Sequence, residues 1–100
     1  MPFANTTMYP FTQATANSLN RVGAVYGLAR NMPNKPGWSE ILYVGQTGDL
    51  RERIQYWLNN PPAAGIAHFF VEVIPNEAQR LRREAELIAE FKPVGNTLLK

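Results

Sequence analysis

Ile41-Leu42-Tyr43-Val44-Gly45-Gln46-Thr47-Gly48-Asp49-Leu50-Arg51-Glu52-Arg53-Ile54 passes from strand through turn to helix in a single stretch. Ile41 to Gly45 is rich in the branched and aromatic side chains that suit a pleated surface. Simple alternation predicts that Ile41, Tyr43 and Gly45 share one face. Thr47-Gly48-Asp49 marks a turn and a helix start, with Thr47 or Asp49 as the N-cap. The helix is expected to run to about Asn59, where Asn60-Pro61-Pro62 stops it. Leu50, Ile54, Trp57 and Leu58 recur at helical spacing and form its apolar stripe. Arg53 lies on the edge of that stripe, one turn from both Leu50 and Trp57.

Upstream, Val22 to Ala29 has strand character, and the loop Asn31 to Glu40 is punctuated by Pro33, Asn34, Pro36 and Gly37. Two strands adjacent in sequence most simply pair antiparallel. Downstream, His68 to Ile74 alternates as a third strand. Asn76 then caps a second long helix, with Gln79 at the capping-box position. That helix is expected to reach Phe91 and to end at Lys92-Pro93. Val94 to Lys100 reads as a tail with a turn at Gly95-Asn96. Residues 1–20 read as an irregular arm with a short helix near Thr12 to Ser18, leaving residues 21–100 as the domain. The order β-β-α-β-α predicts a small α/β (α+β) fold, an antiparallel three-stranded sheet flanked by helices.

One hundred residues suffice for one core without covalent staples. The absence of cysteine excludes a disulfide framework, a thiolate zinc site and a cysteine nucleophile. No apolar run approaches the ~20 residues that span a bilayer, and the first twenty residues lack the pattern of a secretory signal. A cytoplasmic protein with no membrane association is the expectation. The net charge of +2 says little about partners, but seven of the ten basic residues are arginine, the side chain best shaped for bidentate phosphate contact.

The second helix carries the sharpest local signal. At 3.6 residues per turn, Ala78, Leu81, Ala85, Leu87, Ile88 and Phe91 fall in one arc. Gln79, Arg82, Arg83, Glu86 and Glu90 fall opposite. Glu84 sits inside the apolar arc, where a carboxylate is costly unless paired, hydrogen-bonded or bound to a metal. Arg80, four residues earlier, offers the ordinary explanation, an intrahelical ion pair at the rim of the core. The other is a functional acid.

Taken together these features resemble the GIY-YIG nucleases. Gly23-Ala24-Val25-Tyr26 stands on the first strand and Tyr43-Val44-Gly45 on the second. Arg53 follows Tyr43 by ten residues, Glu84 opens a Glu-x-x-Leu-Ile helix that ends in Lys92-Pro93, and Asn96 follows Glu84 by twelve. The resemblance covers about Val22 to Asn96. It departs from the family pattern in having Ala-Val-Tyr for Gly-Ile-Tyr, in a longer loop between the tyrosines, and in Gln46 where several members carry lysine.

The resemblance implies hydrolysis of a nucleic-acid phosphodiester, most simply DNA, to 5′-phosphate and 3′-hydroxyl ends. Glu84 would bind one Mg²⁺ or Mn²⁺, a hard cation that takes oxygen ligands and keeps several waters. Tyr26, and secondarily Tyr43, would position or deprotonate the attacking water, and Arg53 would contact the scissile phosphate. A free phenol has a pKa near ~10 and needs nearby positive charge to act as a base. Asn96 would orient a neighbouring group. Arg51, Arg30, Lys35, Gln46 and Arg80 are the expected nucleic-acid contacts, and Trp38 and Tyr56 are candidates for stacking on bases. His68 is expected to be packed, and Trp57 to be core. A double-strand break would require a homodimer or a separate specificity partner. The competing readings are a catalytically silent nucleic-acid-binding module and a protein-interaction module on the same fold.

Overall fold

A computed structural model describes residues 3, 4 and 7–98 of the chain. The expectations for residues 1, 2, 5, 6, 99 and 100 lie outside that set. The elements are β1 (Tyr9–Pro10), α1 (Gln13–Ser18), β2 (Ala24–Asn31), β3 (Ser39–Thr47), α2 (Leu50–Asn59), β4 (His68–Val73), α3 (Glu77–Phe91) and α4 (Val94–Leu98). The sheet is antiparallel throughout, in the order β1-β4-β2-β3.

It has four strands among the described residues rather than the expected three. The added strand is the short β1, which pairs Tyr9 with Phe69 and Pro10 with His68. Two residues ending in proline carry too little pattern to be read as a strand. The expected arm is therefore part of the domain. Ala16 and Leu19 are buried in the core, and Phe3 lies against the sheet and stacks on Phe70 and Phe91. Val94–Leu98 of the expected C-terminal tail likewise form α4.

β2 is the central strand, and every residue from Ala24 to Ala29 is buried. The sheet consequently has a core on each face. On one, α1 and α2 cover Ala24, Tyr26, Leu28, Phe69 and Val71 with Ala16, Leu19, Leu50, Ile54 and Trp57. On the other, α3 places Leu87, Ile88 and Phe91 against Val25, Ala29, Ile41 and Val44.

Local signals set the helix ends. The Asp49 carboxylate accepts from the Glu52 N–H, and the Asn76 side chain accepts from the Gln79 N–H at 2.9 Å. α3 closes at Lys92, whose left-handed backbone (φ +46°) lets its N–H reach Ile88 O before Pro93 redirects the chain.

Two expectations about faces are corrected. Leu28 pairs with Tyr43 but Ala29 pairs with Ile41, so Leu42 is an extra residue, a β-bulge. Ile41 therefore faces α3 while Tyr43 faces α2, and the two do not share a face. In α3 the buried side runs through Arg80, Glu84, Leu87 and Phe91. Leu81 is 49% exposed while Arg80 is only 7% exposed. Ala78 and Ala85 are exposed, and Arg83 leaves the expected solvent face to pair with Glu72 at 2.9 Å. The buried arc is rotated by about a quarter turn because the sheet offers partners to two arginines that hydropathy alone places outside.

Candidate active site

The candidate site lies at the free edge of β3, where α2 arrives over one face of the sheet and α3 over the other. Tyr26 opposes Gly45 across the β2–β3 pair, and Tyr43 lies two pairs further along, opposite Leu28. The two phenol rings are 6.4 Å apart between centroids, and Trp57 of α2 packs 4.9 Å from Tyr43. The Trp57 indole Nε1–H donates to Tyr26 Oη at 2.6 Å. Gly45 is required there by space, since a Cβ at that position would lie 2.5 Å from Tyr26 Oη and 3.0 Å from the Tyr43 ring.

Tyr26 is 1% exposed, and burial holds its phenol well above the usual range. The Trp57 hydrogen bond and the Arg53 charge pull the other way without offsetting it. Tyr43 is half-buried, and its phenol is also raised, first by burial and then by the Glu84 charge, with Arg53 opposing. Arg53 and Glu84 thus both act on both phenols. The Arg53 guanidinium also rests 5.3 Å from the centre of the exposed Tyr56 ring.

Glu84 is half-buried, and desolvation raises its carboxyl pKa. The Gln46 backbone N–H lies against the carboxylate and favours its charged form. The expected ion pair with Arg80 is not formed. Arg80 turns away, its Nε donating to Gln46 Oε1 at 3.0 Å and its Nη1 to the carbonyls of Ile74 and Pro75 at 3.1 and 2.7 Å. Glu84 is left without a cationic side-chain partner among the described residues. No group of three or more His, Asp or Glu side chains converges among those residues. A cation at Glu84 would therefore hold one protein carboxylate and complete its shell with water and substrate oxygens, an arrangement that suits Mg²⁺ or Mn²⁺.

Asn96, on α4, bonds the backbone of Val44 twice. Its Oδ1 accepts from the Val44 N–H and its Nδ2 donates to the Val44 carbonyl, each at 2.8 Å. It thereby pairs the outer side of an edge-strand residue, away from β2. Gly95 permits the approach, because a Cβ there would meet Leu42 O at 2.5 Å.

Over 86 aligned residues the chain is 33% identical to UvrABC system protein C of Mycoplasma pneumoniae and 34% identical to that of Methylobacillus flagellatus. Each match covers 71% of this chain but only 14% of the relative. Among solved structures, the GIY-YIG N-terminal endonuclease domain of UvrC from Thermotoga maritima, bound to magnesium as its catalytic divalent cation, superposes with a TM-score of 0.65. The identity there is 20%, over 83% of this chain and 92% of that one. The chain belongs to the GIY-YIG family. No family model matches the sequence.

Of the family-motif residues, Tyr26, Tyr43, Arg53 and Glu84 gather at one end of the sheet, and Asn96 braces Val44 within the second tyrosine motif. The expected nucleic-acid contacts divide. Lys35 is exposed in the β2–β3 loop. Arg30 pairs with Glu40 at 2.6 Å, and Arg51 donates to Leu19 O at 2.7 Å while remaining half-exposed. Gln46 is tied to Arg80, and Arg80 is corrected from surface contact to buried strut. His68 is packed, as expected, with its Nε2 2.8 Å from Ser39 Oγ. Sequence reasoning missed Trp57, read as core alone. The available signal was that a buried indole N–H needs an acceptor, and a strand tyrosine stood ready as one.

Proposed function

We propose that this chain is a divalent-metal-dependent endonuclease that hydrolyses DNA phosphodiester bonds to 5′-phosphate and 3′-hydroxyl ends. One observation carries the reading. Glu84 is a desolvated carboxylate with no cationic side-chain partner among the described residues, close enough for its charge to act on the Tyr26 and Tyr43 phenols. A purely structural acid in that position would be expected to take the arginine one turn away, and it does not. The magnesium-bound UvrC domain with the same fold supports the same assignment.

Glu84 would hold the metal, which supplies charge stabilisation for the phosphoryl oxygens and the departing oxygen. Arg53 lies where its guanidinium can bind the non-bridging oxygens of the scissile phosphate and oppose the charge that grows there. Tyr26 keeps its proton, because burial opposes its ionisation and Trp57 occupies a lone pair of its oxygen. Its O–H therefore orients the attacking water or a phosphate oxygen. Tyr43, less enclosed and beside Arg53, is the better placed of the two to accept a proton from that water once its own proton has passed to solvent, with the Arg53 charge opposing the burial and Glu84 effects that hold it protonated. The water oxygen bonds to phosphorus as the phosphorus–O3′ bond breaks, and the departing oxygen leaves as the 3′-hydroxyl after gaining a proton. Arg51 and Lys35 contribute weak, salt-dependent backbone contacts. Sequence or structure preference then rests with a partner or a further domain, in keeping with a match to only 14% of the curated relatives' length.

The test is cleavage of supercoiled plasmid with Mg²⁺ or Mn²⁺. Nicking by the native chain and none by Glu84→Gln is the expected result. No cutting by the native chain, or full cutting by the variant, defeats the proposal.

A further inference from the structure

Arg80 is the one arginine among the described residues that is buried, and no carboxylate pairs with it. Leaving a guanidinium in such a place is costly unless its donors are used, and they are used on a particular set of acceptors. Nη1 spans the carbonyls of Ile74 and Pro75, in the turn that delivers α3 from β4. Nε reaches across to the side chain of Gln46, the residue immediately after the Tyr43-Val44-Gly45 motif on β3. The space it occupies is kept open by Gly23, where a Cβ would collide with Nη1 and crowd Ile74 O to 3.0 Å. Arg80 thus ties the entry of α3, the end of β3 and the start of β2 together.

Glu84 sits one turn along α3 from Arg80, on the same helix face. The Gln46 N–H that lies against its carboxylate belongs to the residue whose side chain Arg80 holds. We infer that Arg80 is a positioning residue, which through Gln46 fixes the distance between α3 and the edge of β3 and so sets the Glu84 carboxylate where a divalent cation is taken up. This inference rests on the nuclease reading for the cation. The mechanical part, Arg80 tying α3 to Gln46 of β3 one turn from Glu84, stands on the Arg80–Gln46 hydrogen bond. Arg80 touches neither metal nor substrate in this arrangement.

The consequence is that Arg80 and Gln46 act as one unit. The experiment is a double-mutant cycle of Arg80→Met and Gln46→Leu, with two readouts. The first is hydrogen exchange at the Gln46 amide in the metal-free protein. The second is the Mn²⁺ dissociation constant from paramagnetic broadening of backbone amide signals. Thermal unfolding checks that each variant is folded. Gln46→Leu, at a half-exposed position, serves as the folded reference should Arg80→Met unfold. Each single variant is expected to exchange the Gln46 amide at least ~10-fold faster, with central β2 amides unchanged, and to bind Mn²⁺ roughly 5- to 10-fold more weakly. The double variant is expected to be no worse than the poorer single one, the signature of shared action. Native exchange and native Mn²⁺ affinity in a folded variant, or losses that simply add, overturn the inference. Equal Mn²⁺ affinity of the native chain and Glu84→Gln would instead remove the metal reading. The exchange result would then decide the mechanical link independently.

Discussion

The Trp57 indole N–H and the Tyr26 hydroxyl oxygen are joined by a 2.6 Å hydrogen bond that crosses from α2 to the central strand with both partners buried. Each satisfies a polar group that would otherwise be stranded in the core. The bond also fixes where the remaining valences of the phenol point.

Trp57→Phe keeps most of the ring volume and removes the donor. A loss of about 1–3 kcal/mol in stability is expected from a buried acceptor left short of a partner. Cleavage is expected to fall further than folding does, because the Tyr26 hydroxyl is released from its orientation. Chemical denaturation and plasmid nicking on the same preparation check the two parts. Unchanged nicking would show that the orientation of Tyr26 is immaterial.

Gly45→Ala places a methyl group 2.5 Å from Tyr26 Oη and 3.0 Å from the Tyr43 ring. Neither ring can yield easily between β2, β3 and α2. Overpacking of this kind costs about 1–3 kcal/mol, and activity is expected to be lost through displacement of both phenols. Thermal unfolding together with nicking decides it. An active, fully stable variant would mean that the strand pair is more compliant than the packing indicates.

Glu84→Gln is expected to abolish cleavage and to stabilise the fold at neutral pH. The Glu84 carboxyl is raised by burial, so its folded pKa lies above the unfolded value. For such a group the favourable, protonated contribution is complete below the unfolded pKa and is lost as pH rises through the folded one. The variant's advantage should therefore be absent near pH 4 and appear as pH rises toward 7. Because the carboxylate is only half-buried, the gain is expected to stay below about 1 kcal/mol. Melting curves from pH 4 to 8 in the absence of metal check the sign.

Glu72 runs the opposite way. Burial would raise its carboxyl, but two hydrogen bonds from Arg83 and one from the Ala4 N–H hold it below the usual range. Its contribution is present above the unfolded pKa and is lost as pH falls through the depressed folded value. Glu72→Gln is expected to cost about 1.5–3 kcal/mol at pH 7, with the difference from the native chain closing in acid. Denaturation midpoints at pH 7 and pH 3 test it.

Asn96→Ala removes two 2.8 Å bonds to the Val44 backbone and opens the edge of β3. A loss of about 1–3 kcal/mol is expected, with faster hydrogen exchange at the Val44 amide than at β2 amides. Asn96→Asp keeps the acceptor but sets a charge against the Val44 carbonyl. It is expected to be no better than alanine.

The strands at Tyr26 and Tyr43, the capped helix from Asp49 and the capped helix from Asn76 were all legible, because each is announced by short-range chemistry. Alternation, a side chain that can cap, and proline at the stop are properties of neighbours in sequence. The family resemblance likewise grouped Tyr26, Tyr43, Arg53 and Glu84, whose side chains act on one another at one end of the sheet. What failed depended on contacts distant in sequence. The face of α3 could not be read because Arg80 and Arg83 are drawn toward the sheet by acceptors on β3, on β4 and in the turn after it, which hydropathy does not register. β1 is two residues that exist as a strand only through β4. The partner of Trp57 was invisible for the same reason.

The bulge at Leu42 has a consequence for how such a domain changes over time. Upstream of it the chain is in one phase, downstream in the other, so the insertion works as a slip joint between the Met32–Trp38 hairpin tip and the chemistry at Tyr43. Segments of foreign length or sequence can be spliced into that tip while the reacting groups keep their setting. A single deletion between Tyr43 and Thr47 has no such slack and would turn every side chain there inside out.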